Sequence, residues 1–556
     1  MYADIHCHPG TSAYDLNRHC QRNPPVDGQA FHPWNIPPSN LKRQMKSKRA
    51  FGYTQSDLAK ACASNTKLLF AALYPTEKGF FFGINNGRTR QDILNLFLAA
   101  NAARANGDED SAAEAIFLQL SPEEQRAFSK RTVIDELQSN QMNYKMDRVQ
   151  FIQSGSYDYF EELKHEYEFW CASNDIAGAT VNELSLRLGE KGKICNGQYH
   201  IASPNTIRQA LNGGGINQVI VITIEGMHSL GIGNYSWENI QDVSDEELLR
   251  RISLLKDPTQ WAHRPFFITF SHHFNNRLCG HAHSIPGLAS KILFDQREMR
   301  DRGFSALGFD AALALLGLDS DLRSNNTARI LIDVKHMSAW GRKEYYDQIV
   351  RPYNSRPENA ANKIPIIASH VGYSGVSHLQ AQIDKALGND ERDNYKVNGF
   401  YAWNINLSNE DVIEIHNSGG LIGLSFDQRI MGQDKVLVAF NLQDLLKGKK
   451  KKRREAQRSI RRTIEAVVRI PFENALAEPH RIWDELSIGT DFDGFIDPLF
   501  GYSTVLDFPE FEEDLVESLE EIKKAHPEWF GALDTTRAAR KICYENAHDF
   551  VLRHYL

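Results

Sequence analysis

Residues 218–225 read QVIVITIE. A continuous run of Val and Ile, with no polar alternation, suits a parallel strand buried on both faces. This one stops on a carboxylate, Glu225. The same pattern of a short apolar run ending in a chemically useful residue recurs along the chain. MYADI (1–5) leads into His6, and TKLLFAALY (66–74) ends on an aromatic residue before a proline. FFITF (266–270) leads to His272, RILIDV (329–334) to His336 and IPIIA (364–368) to His370. LIGLSF (421–426) follows a Gly-Gly turn, and LSIGT (486–490) leads to Asp491. With helical stretches between several of these runs, the spacing predicts a (β/α)8 TIM-like barrel, an α/β fold whose active site lies at the C-terminal strand ends. The polar residues fall at those ends.

Helix starts are signalled at Ser244-Asp245-Glu246-Glu247 and at Ser408–Asp411, where a small hydroxyl side chain precedes an acidic residue at the third helical position. The gap after strand two is too long for one helix. It holds an Ala-rich stretch over 94–118, a helix start at Ser121-Pro122-Glu123-Glu124 with proline in the first turn, and an aromatic, charged stretch over 159–171. The expected organisation is a barrel over 1–75 and 211–556, with a large, mainly helical insertion over 76–210, either a cap or a peripheral decoration.

Composition removes several function classes. The chain has 556 residues, 42% hydrophobic and 24% charged, which is ordinary for a folded protein. Lys and Arg total 63 against 71 Asp and Glu, a net charge of −8. That balance gives no reason to expect a nucleic-acid partner. No apolar run approaches the ~20 residues of a membrane span. The seven cysteines are scattered without C-x-x-C spacing, and the opening MYADIHCHPG has no signal-peptide pattern. Reduced cysteines and a cytoplasmic location are the expectation. The one strong charge run, KGKKKKRR (447–454), continued by Arg458, Arg461 and Arg462, reads as a solvated loop and helix start.

The chemistry begins at His6-x-His8. Side chains two apart on a strand point the same way, so both imidazoles can reach one metal ion. A barrel brings the strand-end residues Glu225, His336, His370 and Asp491 to the same small volume. Four histidines, a Glu and an Asp can hold two divalent cations of the zinc class with the Glu bridging, a recurring hydrolytic arrangement. A second pair, His281-x-His283, has no strand before it and reads as a loop-shaping element. Cys7, between the two leading histidines, points the opposite way and reads as wall packing.

Several segments then resemble the renal (membrane) dipeptidase family. IEGMHSLG (224–231) is similar to its strand-three motif, LIDVKHMS (331–338) to its I-D-x-x-H-x-S segment and PIIASHVG (365–372) to its P-x-x-x-S-H segment. GGLIGLSF (419–426) and LSIGTDFDGF (486–495) resemble its last two strand motifs. ITFSHHFNN (268–276) resembles its T-H-x-x-N stretch, and YENAHDFVL (544–552) its closing helix. The segments keep the family's order.

The resemblance implies a metal-dependent hydrolase of the amidohydrolase-like class with two zinc ions, cleaving an amide or peptide bond of a small substrate by metal-activated hydroxide, with a dipeptide as best guess. His6 and His8 would bind the first metal, Glu225 would bridge, and His336 with His370 would bind the second. His272 would polarise the substrate carbonyl, and Asp491 would hold the attacking water and shuttle its proton. Asp493 and Gly494 would shape a loop, and Asp333 would orient a ligand. A homodimer is also implied. Three departures stand out: His8 where the family has an aspartate, Ile405 where it has a substrate-carboxylate-binding arginine, and the length of 76–210. Arg429 and Arg277 are the candidate replacements for that arginine. The alternatives are an amidase, lactonase or phosphoester hydrolase on the same centre, or a non-catalytic metal-containing scaffold.

Overall fold

The computed structural model describes residues 1–11, 13–15, 33–34, 54–80, 148, 151–152, 154–176, 197–213, 218–233, 242–285, 296–387, 396–431, 449–494, 496 and 498–556. The sequence-predicted helices over 94–118 and from Ser121 lie outside these residues, as do parts of the loops after several strands.

All eight expected runs are strands. They are β1 (Tyr2–Cys7), β2 (Thr66–Leu73), β4 (Gln218–Glu225), β5 (Phe267–Thr269), β6 (Leu331–Asp333), β7 (Ile367–Val371), β10 (Leu421–Leu424) and β11 (Leu486–Ile488). Each pairs in parallel with the next in the order β1-β2-β4-β5-β6-β7-β10-β11. Backbone bonds from His8 N to Phe492 O (2.8 Å) and from Asp491 N to His6 O (2.9 Å) join the last strand to the first. The sheet therefore closes as a (β/α)8 barrel. A short additional strand, β3 (Tyr199–Ile201), pairs in parallel with the start of β4. The sequence reading, which expected mainly helix over 76–210, did not find it: three residues are too few to show a period. A small antiparallel pair, β8 (Lys396–Val397) and β9 (Phe400–Tyr401), lies between β7 and β10.

Among the described helices are α1 (Leu58–Ala63), α2 (Tyr159–Ala172), α3 (Asp245–Lys256), α4 (Ala306–Leu316), α5 (Ala339–Tyr345), α6 (Leu379–Leu387), α7 (Asn409–Ser418), α8 (Lys449–Glu473), α9 (Phe508–Ala525) and α10 (Asn546–His554). Two of the three signalled starts lie among the described residues, and both are helix N-termini. Ser244 Oγ accepts from Glu247 N, and Ser408 with Asp411 makes a reciprocal capping box at α7. Alternation along the strands divides the apolar residues into two layers. Leu68, Phe70, Val219 and Val221 belong to one cluster with Phe550 and Tyr555 of the C-terminal segment; Leu69, Ala71, Ile220 and Ile222 belong to the other, with the helices.

Two arginines of the basic stretch are paired within the fold. Arg453 of α8 pairs with Glu510 and Asp514 of α9, and Arg461 pairs with Glu521. Among the described cysteines, Cys7, Cys171, Cys279 and Cys543 are free, but Cys62 is disulfide-bonded. The expectation of unpaired cysteines is corrected here: sequence scatter sets no limit on the spatial approach of two thiols. A disulfide belongs to an oxidising compartment, so cysteine usage gives no support to a cytoplasmic location. No described helix is long and apolar enough to cross a membrane.

One buried ion pair ties the helical layer together. Arg342 of α5 donates to Asp411 at the start of α7 (2.8 Å) and to the carbonyls of Met337 and Asn404 (2.9 and 2.7 Å). Arg342→Ala is expected to leave Asp411 buried without its cation and to cost about 3–5 kcal/mol, read as a lower urea midpoint.

Candidate metal centre

Strand ends bring the site together. Glu225 is the last residue of β4, His370 lies within β7, His6 lies in β1, and His8, His272, His336 and Asp491 follow their strands closely. Two of these positions need an uncommon backbone. His336 and Asp491 both have positive φ, 64° and 63°, a conformation that costs a non-glycine residue energy and persists where the surroundings dictate it.

Glu225 is the hub. Its Oε1 lies 3.2 Å from His6 Nε2, 3.3 Å from His272 Nε2, 3.7 Å from His336 Nε2 and 3.8 Å from His370 Nε2. Its Oε2 lies 3.0 Å from His8 Nε2. Asp491 Oδ1 stands 3.7 Å from His6 Nε2 and 3.5 Å from His8 Nε2, and its Oδ2 is 3.7 Å from His370 Nε2. All seven sequence-predicted residues thus share one volume. Glu225 and the five imidazoles are buried, whereas the Asp491 side chain is 15% exposed and is the group's most open member.

The charge balance is strained in an informative way. Burial alone would raise the Glu225 carboxyl, but the imidazoles of His272, His6 and His8 hold it well below the ordinary carboxylate range. Burial opposes charge on His272, and the carboxylates of Glu225 and Glu77 overcome it, pushing the ring up to about 9. Burial and the neighbouring cationic groups hold His336 and His370 well below the usual histidine value. Neutral imidazoles offer lone pairs. The Nε2 atoms of His6 and His8 are buried and have no hydrogen-bond partner, although they face carboxylate oxygens. Such donor atoms fit a divalent cation of the zinc class.

A second layer orients the first. Asp333 accepts from Ser369 N (2.9 Å) and Ser369 Oγ (2.6 Å), and Ser369 Oγ lies 2.9 Å from His370 Nδ1. Asp4 accepts from Thr490 N (3.0 Å) and His6 N (3.2 Å), tying β1 to the Asp491 turn. Asp493 accepts from Gln55 N, Ser56 N and Ser56 Oγ and so fastens a loop. Cys7 Sγ packs 3.8 Å from Phe70 O. His281 has its ring nitrogens 3.1 Å from the carbonyls of Ala282 and Glu298, a loop-holding role. Ile405 is buried in an apolar cluster with Ala282, Tyr401, Trp403 and Ile430. Of the candidate replacement arginines, Arg429 pairs with Asp427 and Arg277 with Asp242 and Asp245.

Sequence reasoning missed Glu77. Its Oε2 lies 2.5 Å from His272 Nδ1, and its Oε1 accepts from Phe274 N at 3.2 Å. It stands four residues beyond β2, where the insertion was expected to begin; a carboxylate so close to a strand end was the available signal. The helix α2 is fastened beside it. Tyr159 Oη accepts from Lys78 N (2.9 Å), Glu166 Oε2 accepts from Tyr74 N (2.9 Å), and the Trp170 ring lies so close to Gly10 that a Cβ there would sit 2.5 Å from it.

No protein-family model matches the chain, and no curated protein matches it. Among solved structures, it is similar to a metallopeptidase from Rhodobacter sphaeroides liganded with a phosphinate mimic of L-Ala-D-Ala (12% identity, TM-score 0.44, covering 100% of this chain and 99% of that one). It is also similar to a metallopeptidase called dipeptidase AC (12%, 0.41, covering 100% and 98%) and to a probable dipeptidase from Pseudomonas aeruginosa (14%, 0.40, covering 91% and 89%).

Burial pushes the Glu166 carboxyl up to about 7 from an ordinary value of 4.5. Because the folded state holds that proton more tightly, Glu166 stabilises the fold fully below pH ~4, and this contribution is lost as pH rises through about 7. Glu166→Gln keeps an acceptor for Tyr74 N without the ionisation. The variant should gain on the parent by roughly 3 kcal/mol between pH 4 and 8, measured as urea midpoints across that range.

Proposed function

We propose that this chain is a metal-dependent hydrolase that cleaves an amide or peptide bond of a small substrate, with a dipeptide as the first substrate to test. The observation that carries this reading is the convergence of five imidazole Nε2 atoms on the buried Glu225 carboxylate, within 3.0–3.8 Å, with Asp491 at the open side. His6, His8, Glu225, His336 and His370 would hold two divalent cations, expected to be zinc. When bound, these cations supply Lewis acidity that acidifies water and polarises a carbonyl oxygen.

The chain's own groups supply the rest. Asp491, the most open carboxylate of the cluster, takes the proton of the attacking water at Oδ1 or Oδ2 and passes it to the leaving amine. His272 is held by Glu77 at Nδ1 and favoured in its protonated form, so its Nε2–H is available to the carbonyl oxygen as negative charge develops there. Glu77 is thus a positioning residue. Glu225 keeps the imidazoles facing inward and contributes the negative charge that two cations require.

A second reading, an amidase, lactonase or phosphoester hydrolase on the same centre, is favoured by Ile405. An aliphatic side chain packed among Trp403, Tyr401 and Ile430 cannot make the two-point contact a guanidinium makes with a carboxylate.

Metal content and a hydrolysis panel test both readings. The panel holds L-L and L-D dipeptides, N-acyl amino acids, lactones and phosphoesters, assayed before and after chelation. About two metals per chain with chelator-sensitive dipeptide cleavage is the expected result. Cleavage confined to substrates without a free carboxylate selects the second reading, and an inactive chain that takes up no metal on reconstitution rules out both. Glu77→Gln should lower kcat about 10- to 100-fold while metal content stays at the parent level; an unchanged kcat would remove Glu77 from the reaction.

A further inference from the structure

His273 belongs neither to the site read from sequence nor to the reaction proposed above, yet it is buried beside that site. Its ring centroid stands 3.9 Å from that of His272 and 4.9 Å from that of His336, and those two are 4.6 Å apart. One ligand-capable atom from each of His272, His273 and His336 lies within 4.8 Å of the others. They adjoin a second such group, His6, Glu225, His370 and Asp491, through Glu225 Oε1, which lies 3.3 Å from His272 Nε2 and 3.7 Å from His336 Nε2.

The ring of His273 is held as metal-binding imidazoles are usually held, through its other nitrogen. Its Nδ1 lies 2.6 Å from Ser284 Oγ, and Gln296 Nε2 donates to both that hydroxyl and the His273 carbonyl, each at 2.7 Å. Nε2 takes no part in these bonds. Three imidazoles suit a cation of the zinc class and leave a tetrahedral position open. Glu77 already holds His272 Nδ1 and Glu225 faces its Nε2, so a cation here competes with those contacts and binds less strongly than one on the Glu225 group.

We propose that His272, His273 and His336 form a further, weaker cation site whose filling by excess zinc(II) inhibits the enzyme. The inhibition rests on the function proposed above. A cation on the His272 imidazole removes the donor meant for the substrate carbonyl, and the shared ring of His336 is drawn from the Glu225-centred pair. The site links hydrolysis to zinc supply: active when only the tight positions are filled, inactive when zinc is abundant.

The test is equilibrium dialysis of the full chain against increasing zinc(II), with bound metal measured by elemental analysis and hydrolysis followed in parallel. The parent should bind a weaker equivalent beyond the tight ones and lose activity as it fills. Two variants remove the ligand: His273→Gln, and His273→Phe, which keeps an aromatic ring against Phe80, whose centroid lies 5.1 Å away. Both should retain the tight equivalents, bind the weaker one at least about tenfold less tightly and need correspondingly more zinc for inhibition. Absence of a weaker equivalent in the parent, or equally tight binding of it by the variants, overturns the site. A parent that shows His273-dependent zinc binding but cleaves nothing in the panel overturns the hydrolase reading and the inhibitory role, and leaves the site standing.

Discussion

A single carboxylate surrounded by imidazoles sets the terms for this structure. Glu225 sits at the end of a strand whose residues are all buried, where an isolated negative charge is costly. The surrounding rings of His6, His8, His272, His336 and His370 offset that cost, and their own crowding in turn requires the negative charge at the centre. Removing either party leaves buried polar groups unsatisfied. The backbone accommodates this mutual need: two non-glycine residues, His336 and Asp491, adopt left-handed conformations that aim their side chains inward.

The demand propagates outward through the barrel wall. Asp333 and Ser369 hold His370, while Asp4 binds both His6 N and Thr490 N, so the first and last strands meet at the site itself. The wall is thin there. An added Cβ at Gly423 or Gly489 would lie 1.7 or 1.8 Å from Ser369 O, so only glycine lets β10 and the end of β11 approach β7 this closely. The residues that close the barrel and those that shape the candidate centre are therefore partly the same residues.

Charge elsewhere serves cohesion. The basic helix α8 meets the acidic helix α9 through Arg453 and Arg461. The described part of the long segment after β2 is fastened to the loops that follow β1 and β2, through Trp170 against Gly10, Glu166 on Tyr74 and Tyr159 on Lys78. These contacts set α2 beside Glu77 and His8.

The eight strands and the seven candidate site residues could be read from the chain because both leave local marks. A buried parallel strand is a continuous run of Val, Ile and Leu, and a barrel places its reactive groups just past such runs. Glu77, His273 and β3 left weaker marks. Glu77 has meaning only through His272, nearly two hundred residues away. His273 has meaning only through ring-to-ring distances that no spacing encodes, and β3 is only three residues long. The Cys62 disulfide and the Arg342–Asp411 pair are likewise contacts across the fold. Sequence by itself determined which segments must be buried and which residues stand at their ends, because burial and periodicity are local properties. Tertiary structure alone decided which side chains share a proton, a charge or a cavity, because those energies depend on distances that only the closed barrel creates.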